Sequence, residues 1–296
     1  MVGIKEAPYY LWAHTNKKHK VYSQVLLSEM DIRLSISNKK PFVAGKIGGF
    51  ELWAMRVAEF GYAKEERKAY EKLSDNAGFF SDTSNIHANL YNYNERMKDT
   101  ISTVDYLIRW QYPKEEYFVK KYCPGNLKDI DWLGVVYENE PIGRILRNRK
   151  VLAVTPFASA VERQYSRREK IYPDEYLPDF DLQTYKAVQT IAGNRDPRYA
   201  NWFEALDSMI KEIEKLDFDI ALVGCGAYSL PLCAAIKKMG KSAIHMGGDL
   251  QLLFGIMGKR WEEDPFVQEM RNDYWIYPEK GDIPNNSNIV EDGCYW

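Results

Sequence analysis

The chain has 296 residues, 45% of them hydrophobic and 28% charged, with 40 basic against 42 acidic side chains and a formal net charge of −2. This length suits one large domain or two small ones, the apolar share supports a sizeable core and excludes wholesale disorder, and the lack of a basic excess excludes nucleic acid as the expected partner. The four cysteines, Cys123, Cys225, Cys233 and Cys294, contain no C-x-x-C pair, which argues against zinc or a disulfide framework and for buried thiols in a reducing compartment. The first residues carry no apolar run with a cleavage site and no stretch reaches membrane-spanning length, so the expected location is cytoplasmic.

In chain order, residues 18–37 place Val21, Val25, Leu26, Met30, Ile32 and Leu34 among charges and predict an amphipathic helix within an N-terminal extension, 1–40. Pro41-Phe42-Val43-Ala44 then runs into Gly45-Lys46-Ile47-Gly48-Gly49, and the residues from Phe50 onward take helical spacing: strand, glycine turn, helix. Residues of about 62–148 read as a helical insertion with aromatic loops such as Asn76-Ala77-Gly78-Phe79-Phe80, broken by a short strand over 105–110. Val151-Leu152-Ala153-Val154 is a buried-strand pattern, followed by a helix over 158–170, a strand over 185–191 and an amphipathic helix over 202–216.

The last third has the clearest punctuation. Ile220-Ala221-Leu222-Val223 is a short apolar strand, Gly224-Cys225-Gly226-Ala227-Tyr228 a turn, and 229–240 a helix with Ser229 as its cap, an early proline and a terminal glycine. A strand over 242–246 follows, and Gly247-Gly248-Asp249 opens another helix. Two strands joined by one helix make a right-handed crossover and a parallel pair. The predicted fold is therefore α/β, a Rossmann-like, mostly parallel sheet flanked by helices. Its core spans 41–261, and a tail over 262–296 wraps the surface.

Three glycine turns fall at predicted strand carboxyl ends, on the edge where open α/β sheets bind ligands. At the turn 224–228, backbone N–H groups can face an anion, although a lone G-x-G is equally a tight turn touching nothing. His245, at a strand end before Gly247 and Gly248, is placed to donate to a phosphate or to shuttle a proton near neutral pH; the alternative is a satisfied core histidine. Asp249 reads as a helix cap. Lys259 and Arg260 fit either a diphosphate or a helix C-terminus, and Trp261 is placed to stack on a base or sugar. Glu51, just inside a helix after Gly48 and Gly49, is a candidate base or metal ligand, or a carboxylate that only stabilises its helix.

Lys46-Ile47-Gly48-Gly49-Phe50-Glu51, the Asn76–Phe80 loop, Gly224–Tyr228, and the string from His245 through Phe254-Gly255-Ile256-Met257-Gly258 to Trp261 resemble GT-D-fold glycosyltransferases of bacterial surface-polysaccharide and glycoprotein assembly. The resemblance implies a nucleoside-diphosphate sugar donor, with a UDP-sugar expected, and a glycan or lipid-linked acceptor. It further implies peripheral work at the inner face of the membrane, no organic cofactor, and a divalent manganese or magnesium ion held by an Asp-x-Glu motif. The glutamate position is Glu51, but the aspartate position is Gly49. Either another acid such as Asp82 or Asp249 completes a metal site, or Lys46, Lys259 and Arg260 replace the metal. The implied donor site comprises Lys46, Gly48, Gly49, Gly224, Gly226, Tyr228, Gly247, Gly248, Lys259, Arg260 and Trp261, with Glu51 and His245 as catalytic candidates. An NAD(P)-dependent oxidoreductase on the same sheet type, or a non-catalytic nucleotide-binding subunit, stays open.

Overall fold

A computed structural model describes residues 40–130, 142–172 and 176–296; the helix expected over 18–37 lies outside the described residues. Seven strands form one sheet in the order β3-β2-β1-β7-β6-β4-β5. They are β1 (Val43–Lys46), β2 (Tyr106–Ile108), β3 (Lys128–Ile130), β4 (Lys150–Thr155), β5 (Asp181–Lys186), β6 (Ile220–Val223) and β7 (Ser242–His245). Every pairing is parallel, so all carboxyl ends share one edge.

Strand residues alternate between two cores, as a sheet covered on both faces requires. Val43, Leu152, Val154, Ala221, Val223 and Ala243 join one core. There they meet α1 (Gly49–Phe60), α2 (Glu66–Ala77), α3 (Ile86–Ile101), α4 (Glu115–Tyr122), α7 (Trp202–Ile213) and α8 (Ser229–Lys238). Ala44, Val151, Ala153, Ile220, Leu222 and Ile244 join the other. It is closed by α5 (Ala158–Tyr165), α6 (Arg168–Ile171), α9 (Asp249–Leu253) and α10 (Pro265–Met270). Each fully buried aliphatic side chain contributes about 1.5–3 kcal/mol, so the all-buried β6 is a central girder although it is only four residues long.

Several boundaries differ from the sequence expectation. The stretch 62–148 is mainly helical, but it also delivers β2 and β3 to the sheet. The strand expected over 185–191 lies earlier, as β5, and the helix expected over 158–170 is split into α5 and α6. Ser229 does not cap α8; its hydroxyl accepts from the Cys225 amide at 2.8 Å, folding back on the turn before the helix. The tail is more than a wrapper, since Trp275, Val290 and Cys294 are buried. No helix of the described residues is long and apolar enough to cross a membrane.

Connections decide where a ligand can enter. The chain leaves β1 into α1 on one face, and leaves the neighbouring β7 into α9 on the other. Adjacent strands whose exits diverge open a crevice at the carboxyl edge, the usual ligand position in open α/β sheets.

Candidate functional site

Four polar residues converge where β1 and β7 diverge. Lys46 ends β1, Glu51 stands in the first turn of α1, His245 ends β7, and Asp249 opens α9. The Lys46 ammonium lies 3.8 Å from the Asp249 carboxylate. It also lies against the glycine turn: a Cβ on Gly247, whose φ is +63°, would meet Lys46 Nζ at 3.5 Å and His245 Nε2 at 3.8 Å. His245 fits because its neighbour on β1 is glycine; a Cβ on Gly45 would stand 2.8 Å from the His245 Cβ.

The environment sets the charge of each group. His245 is buried, and its Nδ1 is 3.0 Å from the Lys46 carbonyl oxygen. A carbonyl only accepts, so Nδ1 carries the proton and Nε2 presents its lone pair. Burial, reinforced by the Lys46 charge, lowers the imidazole pKa from 6.5 to about 3. The imidazole is therefore neutral at physiological pH. This corrects the expectation that it shuttles a proton near neutrality or donates to a phosphate: in this state Nε2 accepts.

Burial raises the Glu51 carboxyl above the usual carboxylate range, against the opposing pull of its own backbone N–H and of Lys46. The side chain curls back over the helix start, where a Cβ on Gly48 would clash with it. Glu51 therefore serves the N-terminus of α1 and faces Lys46 at once, so helix stabilisation and chemistry are not exclusive roles. Asp249 is likewise raised by burial and opposed by Lys46 and Arg260. It stands in the first turn of α9 rather than at the cap, which is Gly248.

Gly49, the position matched to an aspartate, is covered by an aromatic ring: a Cβ there would meet Tyr112 at 3.2 Å. Among the described residues no three His, Cys, Asp or Glu side chains converge closely enough to hold a metal ion. Asp82, offered as a completing acid, is exposed and caps the turn Thr83–Asn85 by accepting from the Ser84 amide at 3.0 Å. Glu51 and Asp249 do face a common cation, but it is the ammonium of Lys46. The residues present do not fit a divalent ion.

Other expected ligand residues lie elsewhere or are filled by protein. A Cβ on Gly226, at φ +63°, would come 2.4 Å from the Ala77 carbonyl oxygen, so the α2 terminus packs directly on the turn 224–228. Gly224 abuts the Gly247 carbonyl in the same way. Tyr228 is buried, stacked on Trp202 at 5.3 Å, with its hydroxyl 3.1 Å from Thr190 Oγ1. Trp261 is buried beside Gly248 and Tyr295 and offers no face to a base or sugar. Lys259 donates to the Asp292 carbonyl at 3.1 Å, and Arg260 lies 3.9 Å from Glu291 and over the Tyr295 ring. These two cations hold the tail, although the charge of Arg260 still reaches Asp249. The crevice thus keeps Lys46, Gly48, Gly49, Glu51, His245, Gly247 and Asp249, while Gly248 is covered by Tyr295 and Trp261.

Sequence reasoning missed the wall on the β2 side. Trp110 and Tyr112 follow β2 directly; the Lys46 ammonium is 5.4 Å from the Trp110 ring, and Tyr112 lies over Gly49. The signal was available, because two aromatics follow a short apolar strand at its carboxyl end.

Residues 133–253 match the family model of the GT-D fold-like domain. Neither a curated protein nor a solved structure matches the chain. The matched stretch contains β4 to β7 with His245 and Asp249, while Lys46 and Glu51 lie outside it.

Proposed function

We propose that this chain, whose α/β fold carries a GT-D-like domain, is a glycosyltransferase moving a sugar from a nucleoside-diphosphate donor, a UDP-sugar in the first instance, to a hydroxyl of a glycan or lipid-linked acceptor. The observation carrying this reading is the Lys46 ammonium, set between Glu51, His245 and Asp249 where the exits of β1 and β7 diverge. The acceptor oxygen bonds to the anomeric carbon as the bond from that carbon to the diphosphate oxygen breaks. The electron pair leaves with the nucleoside diphosphate, and the acceptor proton passes to the Glu51 carboxylate. A raised pKa makes Glu51 a stronger base than an exposed glutamate. Lys46 offsets the charge gained by the diphosphate, in a crevice where desolvation strengthens that attraction. His245 orients Lys46 through its carbonyl, and its Nε2 accepts from the ammonium or from a donor hydroxyl. Surface-polysaccharide or glycoprotein glycan assembly is the setting proposed for such a transfer, with peripheral association at the inner face of the membrane when the acceptor is lipid-linked.

The oxidoreductase alternative places a pyrophosphate on the turn 224–228. That turn is occupied by the Ala77 carbonyl on one side, and its Cys225 amide donates to Ser229. Protein groups thus take up one side of the turn and one of the amides a pyrophosphate would use, so the packing argues against this alternative. The test is release of nucleoside diphosphate from a panel of UDP-, GDP- and dTDP-sugars by the wild type and by Glu51→Gln. A catalytic base predicts a loss in kcat of at least ~100-fold, with no more than ~1 kcal/mol lost in stability. Near-normal turnover would leave Glu51 only its role at the start of α1.

A further inference from the structure

Asp249 stands in the crevice without a task in the transfer chemistry. The turn from β7 to α9 sets it shortly after His245, and both side chains face the Lys46 ammonium. Both are acceptors that lack a donor. His245 commits its Nδ1 proton to the Lys46 carbonyl, which leaves the Nε2 lone pair. Among the described residues no N–H or O–H makes a hydrogen bond to Nε2 or to the Asp249 carboxylate. The Lys46 ammonium, 3.8 Å from that carboxylate, attracts it through charge but stands beyond hydrogen-bond length. A largely buried acceptor without a donor has lost water and gained no bond in its place, so such groups are seldom left in that state.

Both acceptors keep an edge open to a ligand. The Asp249 side chain is 14% exposed and His245 is 7% exposed. The sealed polar atoms of this molecule that lack a partner lie elsewhere, among them Tyr93 Oη and Trp202 Nε1. Gly247 keeps the approach clear. Its φ of +63° favours glycine, and a Cβ there would stand 3.8 Å from His245 Nε2. Burial raises the Asp249 carboxyl, while Lys46 and Arg260 pull it back towards the ionised form that accepts.

We infer that Asp249 and His245 Nε2 together bind two hydroxyls of the donor sugar, so that the donor carries a neutral, hydroxylated sugar and not a sugar acid. The inference rests on the nucleotide-donor reading above and names the class of sugar which that reading leaves open. Two neighbouring acceptors take two donors, and a sugar ring presents hydroxyls in such pairs. A sugar carboxylate would instead set like charge against Asp249. The ribose of the nucleoside also offers a hydroxyl pair, but Asp249 and Glu51 face one ammonium. In the transfer that ammonium meets the diphosphate and Glu51 meets the acceptor hydroxyl at the anomeric carbon, so Asp249 borders the sugar. A site built to bond a hydroxyl rejects the analogue that lacks it, because its own acceptor is then left unpaired.

The test measures dissociation constants by calorimetry for the wild type, Asp249→Ala and Asp249→Asn. The probes are UDP and GDP, the neutral esters UDP-glucose, UDP-galactose and GDP-mannose, and the sugar acids UDP-glucuronate, UDP-galacturonate and GDP-mannuronate. Asp249→Ala should weaken the best-bound neutral ester by at least about tenfold and leave its free nucleoside diphosphate within about twofold. The wild type should bind the matching sugar acid at least about tenfold more weakly than the neutral ester. Asp249→Asn, which removes the charge and keeps the shape at the start of α9, should narrow that gap. Equal weakening of ester and free diphosphate in Asp249→Ala overturns the inference, since Asp249 then serves the nucleotide or only its helix. Unchanged ester affinity overturns it too, as does a sugar acid bound as tightly as its neutral counterpart; in these cases the donor reading stands. Failure of the wild type to bind any of these nucleotides overturns both.

Discussion

Replacing His245 by asparagine removes a titrating ring while keeping a side-chain donor for the Lys46 carbonyl. Burial and the neighbouring ammonium lower the imidazole from 6.5 to about 3 in the folded protein. Between those values the unfolded chain binds a proton that the folded chain refuses, so acid favours unfolding. The contribution of His245 is complete above pH 6.5 and is lost as pH falls towards 3. At pH 5 the gap from the unfolded pKa is about 1.5 log units, worth about 2 kcal/mol at about 1.4 kcal/mol per unit. Glu51 and Asp249, which face the same ammonium, are shifted upward, so their contributions run the other way and fade as pH rises above the ordinary carboxylate range. Both acids are present in wild type and variant, so their effects cancel in the comparison. Unfolding free energies from urea titration at pH 5 and pH 7.5 give the result. The wild type should lose about 2 kcal/mol more than His245→Asn on acidification. Parallel losses in the two proteins would mean that the imidazole titrates normally and is not held neutral beside Lys46.

Gly226→Val meets both a left-handed φ and the Ala77 carbonyl. It should therefore lower the melting temperature of the unliganded protein, not merely abolish ligand binding on an intact fold; an unchanged melting temperature would show that the α2 terminus does not pack there. Turnover should survive EDTA, because Lys46 stands between the two acids that would share a metal. Loss on chelation, restored by manganese or magnesium, would require a metal site formed with the substrate. Tyr228→Phe should leave nucleotide affinity unchanged and cost about 1 kcal/mol of stability for its hydrogen bond to Thr190. A clear loss of affinity would put Tyr228 back in the donor site.

The β6–α8–β7 unit was legible because β6 is apolar throughout, its helix follows a glycine turn, and another glycine closes it. β5 was misplaced for a physical reason. It is an edge strand of half-exposed residues, Asp181 to Lys186, so the stronger apolar signal of Ala187 and Val188 came from the buried chain just beyond it. Tyr228 and Trp261 show a second limit. A ring that stacks on a ligand and a ring that fills a core are the same residue type, and the partners deciding between them, Trp202 and Tyr295, are remote along the chain. Lys46 and Asp249 are equally remote; the residues alone marked Asp249 only as a helix cap, and both entered the site reading through the family resemblance. Trp110 and Tyr112 followed a strand end without a glycine to mark it, and so the rule that found the other three turns passed over them.

The proposed donor site makes a positional claim that a crystal structure tests. Crystals grown with whichever of UDP, GDP or ADP most raises the melting temperature should show the diphosphate within contact distance of Lys46 Nζ, against Gly247, at the divergence of β1 and β7. A diphosphate on the turn 224–228, or on Lys259 and Arg260 in place of their tail contacts, would contradict it.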